Sequence, residues 1–323
     1  MQRLAKQLEL TPFRETAFAP GHNACPGCGS TTALRMVLNA VGNRAVFFVP
    51  ASCASLYCAP SDTSATDVPV IHTIFAGAFA EAEGMAHALR IQGREEKVVV
   101  WAGDGCCYDI ALGGLSGAAA RGANILVICN DNEGYQNTGG HESTATPPDA
   151  ATRTGRRTER SHGIRRRKDL VEIIAAHHVP YVATACAAFP EDLEAKVRKA
   201  VALEGFRMIL LLTPCVTWGY DSRFSVKLAR LAVETGYFPL YEVEWGSHYR
   251  VTQEPAMVPL ERFTRLQRRF SGSDVDLLRE EIAAKWGDLR FRCSREQAPP
   301  PSPNAGGLGS SCLGITRRQT GAS

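Results

Sequence analysis

The run KVVVWAGDGCCYDIALGGLSGAAARGANILVICNDN, residues 97–132, holds two apolar stretches, each ending in a cluster of small and polar residues. Lys97 to Ala102 and Asn124 to Cys129 are short, rich in β-branched residues and bounded by Gly, Asn and Asp, which predicts fully buried strands. Between them Tyr108 to Arg121 suits a helix, although Gly113, Gly114 and Gly117 lower its propensity and point to close packing against a neighbour. Strand, helix and strand joined by short turns make a right-handed crossover in a parallel sheet. Such sheets bind ligands in the crevice at the carboxyl ends of their strands. Gly103-Asp104-Gly105 leaves the first strand at that end, and Asn130-Asp131-Asn132-Glu133 leaves the second.

The plan repeats outward. Ala45 to Val49 reads as a buried strand that delivers Ser52 and Cys53 to the same rim, and Met208 to Leu212 as another that delivers Thr213, Pro214 and Cys215. Ser30 to Val41 has helical spacing, with Ser30 or Thr31 as N-cap. Helical spacing also covers 168–178, 191–203, 226–235 and 259–286, and 181–185 is extended. The predicted fold is α/β, a doubly wound and mostly parallel sheet. A leader over 1–20, one α/β domain over 21–290 and a Pro-, Gly- and Ser-rich tail over 291–323, expected to be disordered, complete the layout.

The 323 residues are 45% apolar and 21% charged, enough to bury a large core. A formal charge of +3, with no basic stretch interleaved with aromatics, argues against nucleic acid as partner. No run of about 18 apolar residues and no signal-peptide pattern occurs, so the expectation is a cytoplasmic protein without membrane insertion. The basic stretch RTGRRTERSHGIRRRK, 153–168, reads as a solvated loop, with an acidic ferredoxin or the phosphates of coenzyme A as the alternative contact.

The two strand ends carry one chemistry. A diphosphate is held through a divalent cation that takes oxygen ligands, and one carboxylate, one side-chain amide and a nearby carbonyl complete its shell. Asp104 and Asn132 supply the first two, and the helix expected after Gly105 offers free N–H groups to phosphate. Gly-Asp-Gly alone is also good turn chemistry. Eleven cysteines form an odd count, and thiols at ligand-like spacing in a reducing compartment point to metal. Cys25 and Cys28 form a CxxC, and the sheet could gather them with Cys53 and Cys215. Four thiolates suit tetrahedral zinc or a four-iron four-sulfur cluster, and spacing alone does not choose. Cys58 rivals Cys53 as third ligand. Cys106, Cys107, Cys129 and Cys186 read as small buried hydrophobes, Cys293 and Cys312 as idle, and His22 and His72 as structural.

The Gly-Asp-Gly to Asn132 pattern resembles the thiamine-diphosphate motif of transketolases, decarboxylases and oxoacid oxidoreductases. The longer stretch 103–140, followed by STATP, resembles more narrowly the beta subunit of pyruvate:ferredoxin oxidoreductase. GHNACPGCG, PVIHTIF, RLAVETGYFPLYEVEWG and FTRLQRRF resemble that family in the same order, from about Thr11 to Leu289. The resemblance implies a thiamine-diphosphate-binding α/β fold and oxidative decarboxylation of pyruvate or a related 2-oxoacid to an acyl-CoA and CO2 in anaerobic metabolism. It implies Mg2+ on Asp104, Asn132 and the Gly134 carbonyl. The diphosphate would run along Gly103, Asp104, Gly105 and Cys106 and along Asn132, Glu133, Gly134, Tyr135, Gln136 and Asn137, with Cys53 beside the cofactor and Asn137 facing the oxoacid as catalytic residue. It also implies a [4Fe-4S] cluster on Cys25, Cys28, Cys53 and Cys215. The partners implied are an alpha subunit holding the aminopyrimidine side and its glutamate, ferredoxin-type or gamma subunits, ferredoxin and coenzyme A. The family's glutamate after CxxCG is Ser30 here. The competing readings are a non-oxidative thiamine-diphosphate decarboxylase or synthase subunit, and a zinc or iron-sulfur electron-transfer scaffold in which Gly-Asp-Gly is only a turn.

Overall fold

The apolar runs that end in polar clusters become the centre of one eight-stranded sheet in the computed structural model, which describes residues 18–59, 64–156 and 167–295. Its strands are β1 (Ala45–Pro50), β2 (Val70–Thr73), β3 (Lys97–Gly103), β4 (Leu126–Asp131), β7 (Tyr181–Cys186), β8 (Arg207–Leu212), β9 (Leu240–Glu244) and β10 (His248–Gln253). They lie in the order β10-β9-β7-β8-β4-β3-β1-β2. The two-residue strands β5 (Ala151–Thr152) and β6 (Gly155–Arg156) form a separate ribbon. From β2 to β7 all neighbours pair in parallel, and β9 alone is reversed, pairing antiparallel with both β7 and β10. The mostly parallel, doubly wound reading therefore holds.

Residue alternation explains the two layers. Val99, Trp101, Ile128 and Ile209 face α1 (Gly29–Val41) and α6 (Pro190–Ala202), which add Leu34, Val37, Leu193 and Val197 to one core. Val98, Val100, Val127 and Met208 face the other side, where α3 (Ala78–Ile91), α4 (Leu112–Ala120), α5 (Leu170–Ala175) and α9 (Val275–Ser294) contribute Phe79, Leu115, Ile174 and Trp286. Strands buried on both faces need no polar alternation, so they read as continuous apolar runs. Register then sets the rim: Gly103 stands opposite Asn130, and Asp131 opposite Leu212. Asp104, Asn132 and Thr213 thus leave the sheet side by side.

Several expectations are corrected. The helix expected over 108–121 is a π-helix, Gly105–Ile110, followed by α4. Ser30 and Thr31 lie inside α1, whose N-cap is Cys28, because the Ser30 hydroxyl is engaged by Tyr57. The helix expected over 259–286 is broken: a short helix α8 (Glu261–Thr264) is followed by a turn at Gly272 (φ +73°), and α9 opens where Asp274 caps the Asp276 N–H. α9 runs through Ser294, so residues 291–294 belong to the fold rather than to a tail, and Trp286 and Leu289 show why, since both are buried. Phe18 and Ala19 bridge to Thr66 and Ala65, which takes the end of the leader into the fold as well. The edge strands β2 and β10 and the inner strand β9 were not foreseen; β9 and β10 meet at Trp245 and Gly246, both at positive φ, without the usual Asn-Gly signal. The remaining leader and tail, and most of the basic stretch, lie outside the described residues. Among the described residues no helix is long and apolar enough to cross a membrane.

Candidate functional site

At the end of β3 the chain turns directly into the π-helix, so Asp104 sits at its N-cap with helical backbone angles. A π-turn at a strand end is a recurrent functional distortion. Gly105 permits it: the Tyr135 ring lies against its Cα, and a Cβ there would fall 2.7 Å from the ring's Cδ1. Asp104 is 1% exposed and accepts a hydrogen bond from Ser143 Oγ at 2.6 Å. The end of the Asn132 amide lies 3.1 Å from Asp104 Oδ1 and 2.8 Å from the Gly134 carbonyl oxygen. With its oxygen turned inward, carboxylate, amide and carbonyl oxygens face one another, the donor set a hard divalent cation takes; with its NH2 inward, the amide donates to both. Burial, then the charge of Asp131, hold the Asp104 carboxyl well above the usual range. Burial, then Glu133, push Asp131 up to about 7. Crowded acids of this kind are what a cation relieves.

The loop after β4 is tied down on every side. Glu133 takes a left-handed φ of +59°, its N–H donates to Asp131 Oδ1 and its carbonyl accepts from Thr146. Its carboxylate turns away from Asp104 to Arg167 at 3.0 Å, Arg269 at 2.6 Å and the Tyr237 hydroxyl. Of this residue, expected along the diphosphate, only the backbone therefore remains available at the cofactor loop. Tyr135 donates to the Gly105 carbonyl at 3.2 Å, while Gln136 Nε2 and Trp218 Nε1 both donate to the Asn132 carbonyl. The amide of Asn132 is thus aimed by its own pinned backbone.

Beside this corner a cavity of about 70 Å³ is lined by Cys25, Cys28, Cys53 and Cys215 together with Asn132 and Asn137. Cys28 caps α1, Cys53 caps a short helix α2 (Ala54–Tyr57) after β1, and Cys215 follows β8. Gly29 lets the CxxC loop close on the last of these, since a Cβ would meet the Pro214 carbonyl at 2.9 Å. The Thr217 hydroxyl lies 3.1 Å from Cys215 Sγ and 2.5 Å from Gln136 Oε1, its one proton serving one acceptor at a time, and so joins the thiols to the cofactor loop. Burial, then Cys215, Cys28 and Cys25, push the Cys53 thiol up to about 12, and burial raises Cys28 and Cys215. Among the described residues no three His, Cys, Asp or Glu side chains converge on a single metal ion.

The rival thiols lie elsewhere. Cys58 is buried next to Tyr57 and does not line the cavity, and its carbonyl accepts from His72 Nε2 at 2.9 Å. Cys106, Cys107, Cys129 and Cys186 are buried core residues, and Cys293 packs half-buried against the core. His22 accepts from the Ala24 N–H and meets Phe18 edge-on, a structural role. Ser30 lines the cavity, 2.6 Å from the Tyr57 hydroxyl, which in turn accepts from Trp101 Nε1 at 3.0 Å. Tyr57, Trp101, Ser143 and Thr217 were missed in the sequence, since an isolated Tyr, Trp, Ser or Thr carries no spacing signal.

Residues 53–210 match the family described as thiamine pyrophosphate enzyme, C-terminal TPP binding domain. The chain is 46% identical over 260 residues to the pyruvate synthase subunit PorB of Methanothermobacter marburgensis, covering 79% of this chain and 90% of that one. It is 39% identical over 302 residues to the ketoisovalerate oxidoreductase subunit VorB of Pyrococcus furiosus, covering 88% and 96%. In fold it is similar to a solved 2-oxoglutarate:ferredoxin oxidoreductase from Magnetococcus marinus, with a TM-score of 0.54 and 23% identity over 64% of this chain and 68% of that one. Identity at this level over nearly the whole of the relatives settles the family: the chain belongs to the thiamine-diphosphate-binding B subunits of the 2-oxoacid:ferredoxin oxidoreductases, which include pyruvate synthase and ketoisovalerate oxidoreductase.

Proposed function

We propose that this subunit holds thiamine diphosphate through Mg2+ on Asp104, Asn132 and the Gly134 carbonyl, and carries a [4Fe-4S] cluster on Cys25, Cys28, Cys53 and Cys215. The observation that carries the reading is the shared wall: Asn132, part of the oxygen corner, also lines the thiol cavity. An electron acceptor next to the cofactor is what single-electron oxidation requires. Four thiols lining one cavity suit a cluster, and the need for a single-electron acceptor beside the cofactor favours it over a redox-inert zinc ion. Thiamine diphosphate, when bound, supplies the electron sink for loss of CO2 from the oxoacid. The chain's own part is to hold the diphosphate, fix the cation, and offer Asn137, exposed at the cavity mouth, toward the oxoacid. Ser30 closes the cavity floor through Tyr57 where the family places a glutamate.

The substrate is pyruvate, with coenzyme A as acyl acceptor and ferredoxin as electron acceptor. The relatives support this: the PorB subunit is a pyruvate synthase subunit, and the Magnetococcus structure holds coenzyme A. An alpha subunit supplies the aminopyrimidine half of the site and ferredoxin-type or gamma subunits carry electrons onward, so the isolated chain is inactive in turnover. Anaerobically purified protein should be brown, bleach with dithionite, and bind thiamine diphosphate only with Mg2+. Colourless protein with stoichiometric zinc would refute the cluster. On the assembled complex, kcat/KM for pyruvate should exceed those for 2-oxoisovalerate and 2-oxoglutarate.

A further inference from the structure

The loop 132–137 has a second side. Asn132 and Asn137 face the thiol cavity, whereas Glu133 and Gln136 line a separate cavity of about 360 Å³. Three arginines, Arg153, Arg268 and Arg269, line it, and among the described residues Glu133 is the one carboxylate that does. That carboxylate is already shared with Arg167 and the Tyr237 hydroxyl, so the cavity carries an excess of positive charge.

Arg269 backs this cavity with a buried, incompletely paired cation. It is 6% exposed, and its guanidinium lies 3.5 Å from the Trp218 ring centroid and 4.8 Å from that of Phe270. Its Nε donates to Gln267 Oε1 at 2.7 Å and its Nη1 pairs with Glu133 at 2.6 Å, while its buried Nη2 has no hydrogen-bond partner. An N–H left unpaired on a buried cation is unfavourable, and an anion held nearby offsets its charge. Arg153 reaches the same cavity over Gly139, whose φ of +114° and missing side chain make room for it: a Cβ would lie 2.6 Å from Arg153 Nη1. Arg268 also lines the cavity, with its stem against Gly219.

We propose that this cavity is an oxyanion site that takes a phosphate group between Arg153 and Arg268, with the buried guanidinium of Arg269 behind them adding positive charge. Planar guanidinium forks match tetrahedral oxyanions, and three of them favour a dianionic phosphate over a carboxylate. None of these arginines serves the cofactor or the cluster, so the proposal stands apart from that reading.

The test titrates the full chain, loaded with thiamine diphosphate and Mg2+, with inorganic phosphate by calorimetry, against chloride at equal ionic strength. Saturable binding is expected. Arg153→Gln with Arg268→Gln, both exposed positions, should weaken it by on the order of tenfold or more. Coenzyme A added as competitor separates the sources: displacement assigns the site to that molecule's phosphate end, no displacement to a free anion, and either supports an oxyanion site. Absence of a saturable signal would overturn the proposal, as would an unchanged affinity in the double variant. So would phosphate binding that disappears once thiamine diphosphate is present, since the cavity would then belong to the cofactor.

Discussion

The oxygen corner and the thiol cavity share Asn132 but are assembled in opposite ways. The corner comes from two adjacent strand ends and the loop that follows, its carboxylate is buried, and each piece is held by an internal partner: Ser143 on Asp104, Gln136 and Trp218 on the Asn132 backbone. The thiol cavity collects its walls from segments spread between Asn23 and Val216, and Cys25 is exposed. A corner fixed by its own hydrogen bonds is preorganised for a cation, while a cavity of partly exposed thiols is completed by what it binds.

Substitutions can break this contrast. Asp104→Ala should have the largest effect, weakening Mg2+-dependent binding of thiamine diphosphate by more than the ~10–100-fold typical of losing an outer partner; unchanged affinity in calorimetry would remove the oxygen corner from the site. Cys215→Ala should abolish the broad visible absorption yet leave cofactor affinity intact, because Ser143, Gln136 and Trp218, not the thiol, hold the corner's oxygen groups. Loss of both in one variant would show that the two regions fold as a unit.

pH should separate them as well. Burial and Asp131 raise the Asp104 carboxyl, so the empty corner retains a proton that the cation must displace. Cation binding then releases a proton and strengthens with rising pH by up to about tenfold per unit, until the raised pKa is passed. Calorimetry in buffers of different ionisation enthalpy would detect that proton, and its absence would mean Asp104 is already ionised.

Smaller effects belong to the partners that spacing did not reveal. Tyr57→Phe leaves Ser30 and the Trp101 indole N–H without their buried partner and should cost about 1–3 kcal/mol in urea unfolding, with the cofactor site intact. Thr217→Val removes the donor to Cys215 Sγ. It should lower the cluster's reduction potential slightly in a redox titration followed by EPR, because hydrogen bonds to the sulfurs stabilise the reduced state.

How much of this was legible follows from the physics of each part. Strands buried on both faces announce themselves as apolar runs, and a parallel sheet must gather their polar carboxyl ends, so Asp104, Asn132 and Cys215 could be placed on one rim from local pattern alone. The break near Gly272, the hairpin of β9 and β10 and the π-helix were not legible, because each depends on what packs against it. The Tyr135 ring against Gly105 is the clearest case. Glu133 is another: its neighbours in the chain suggest the diphosphate, and only Arg167, Arg269 and Tyr237, brought in from other parts of the chain, turn its carboxylate away.

By itself, then, the sequence determined the sheet, its rim, and the residue types that meet there, since these follow from hydrophobic periodicity and from turn chemistry within a few residues. Tertiary structure alone decided where each side chain on that rim points and what it pairs with. Buried polar groups must be satisfied by whatever long-range packing brings within about 3 Å, and a linear pattern carries no information about those partners.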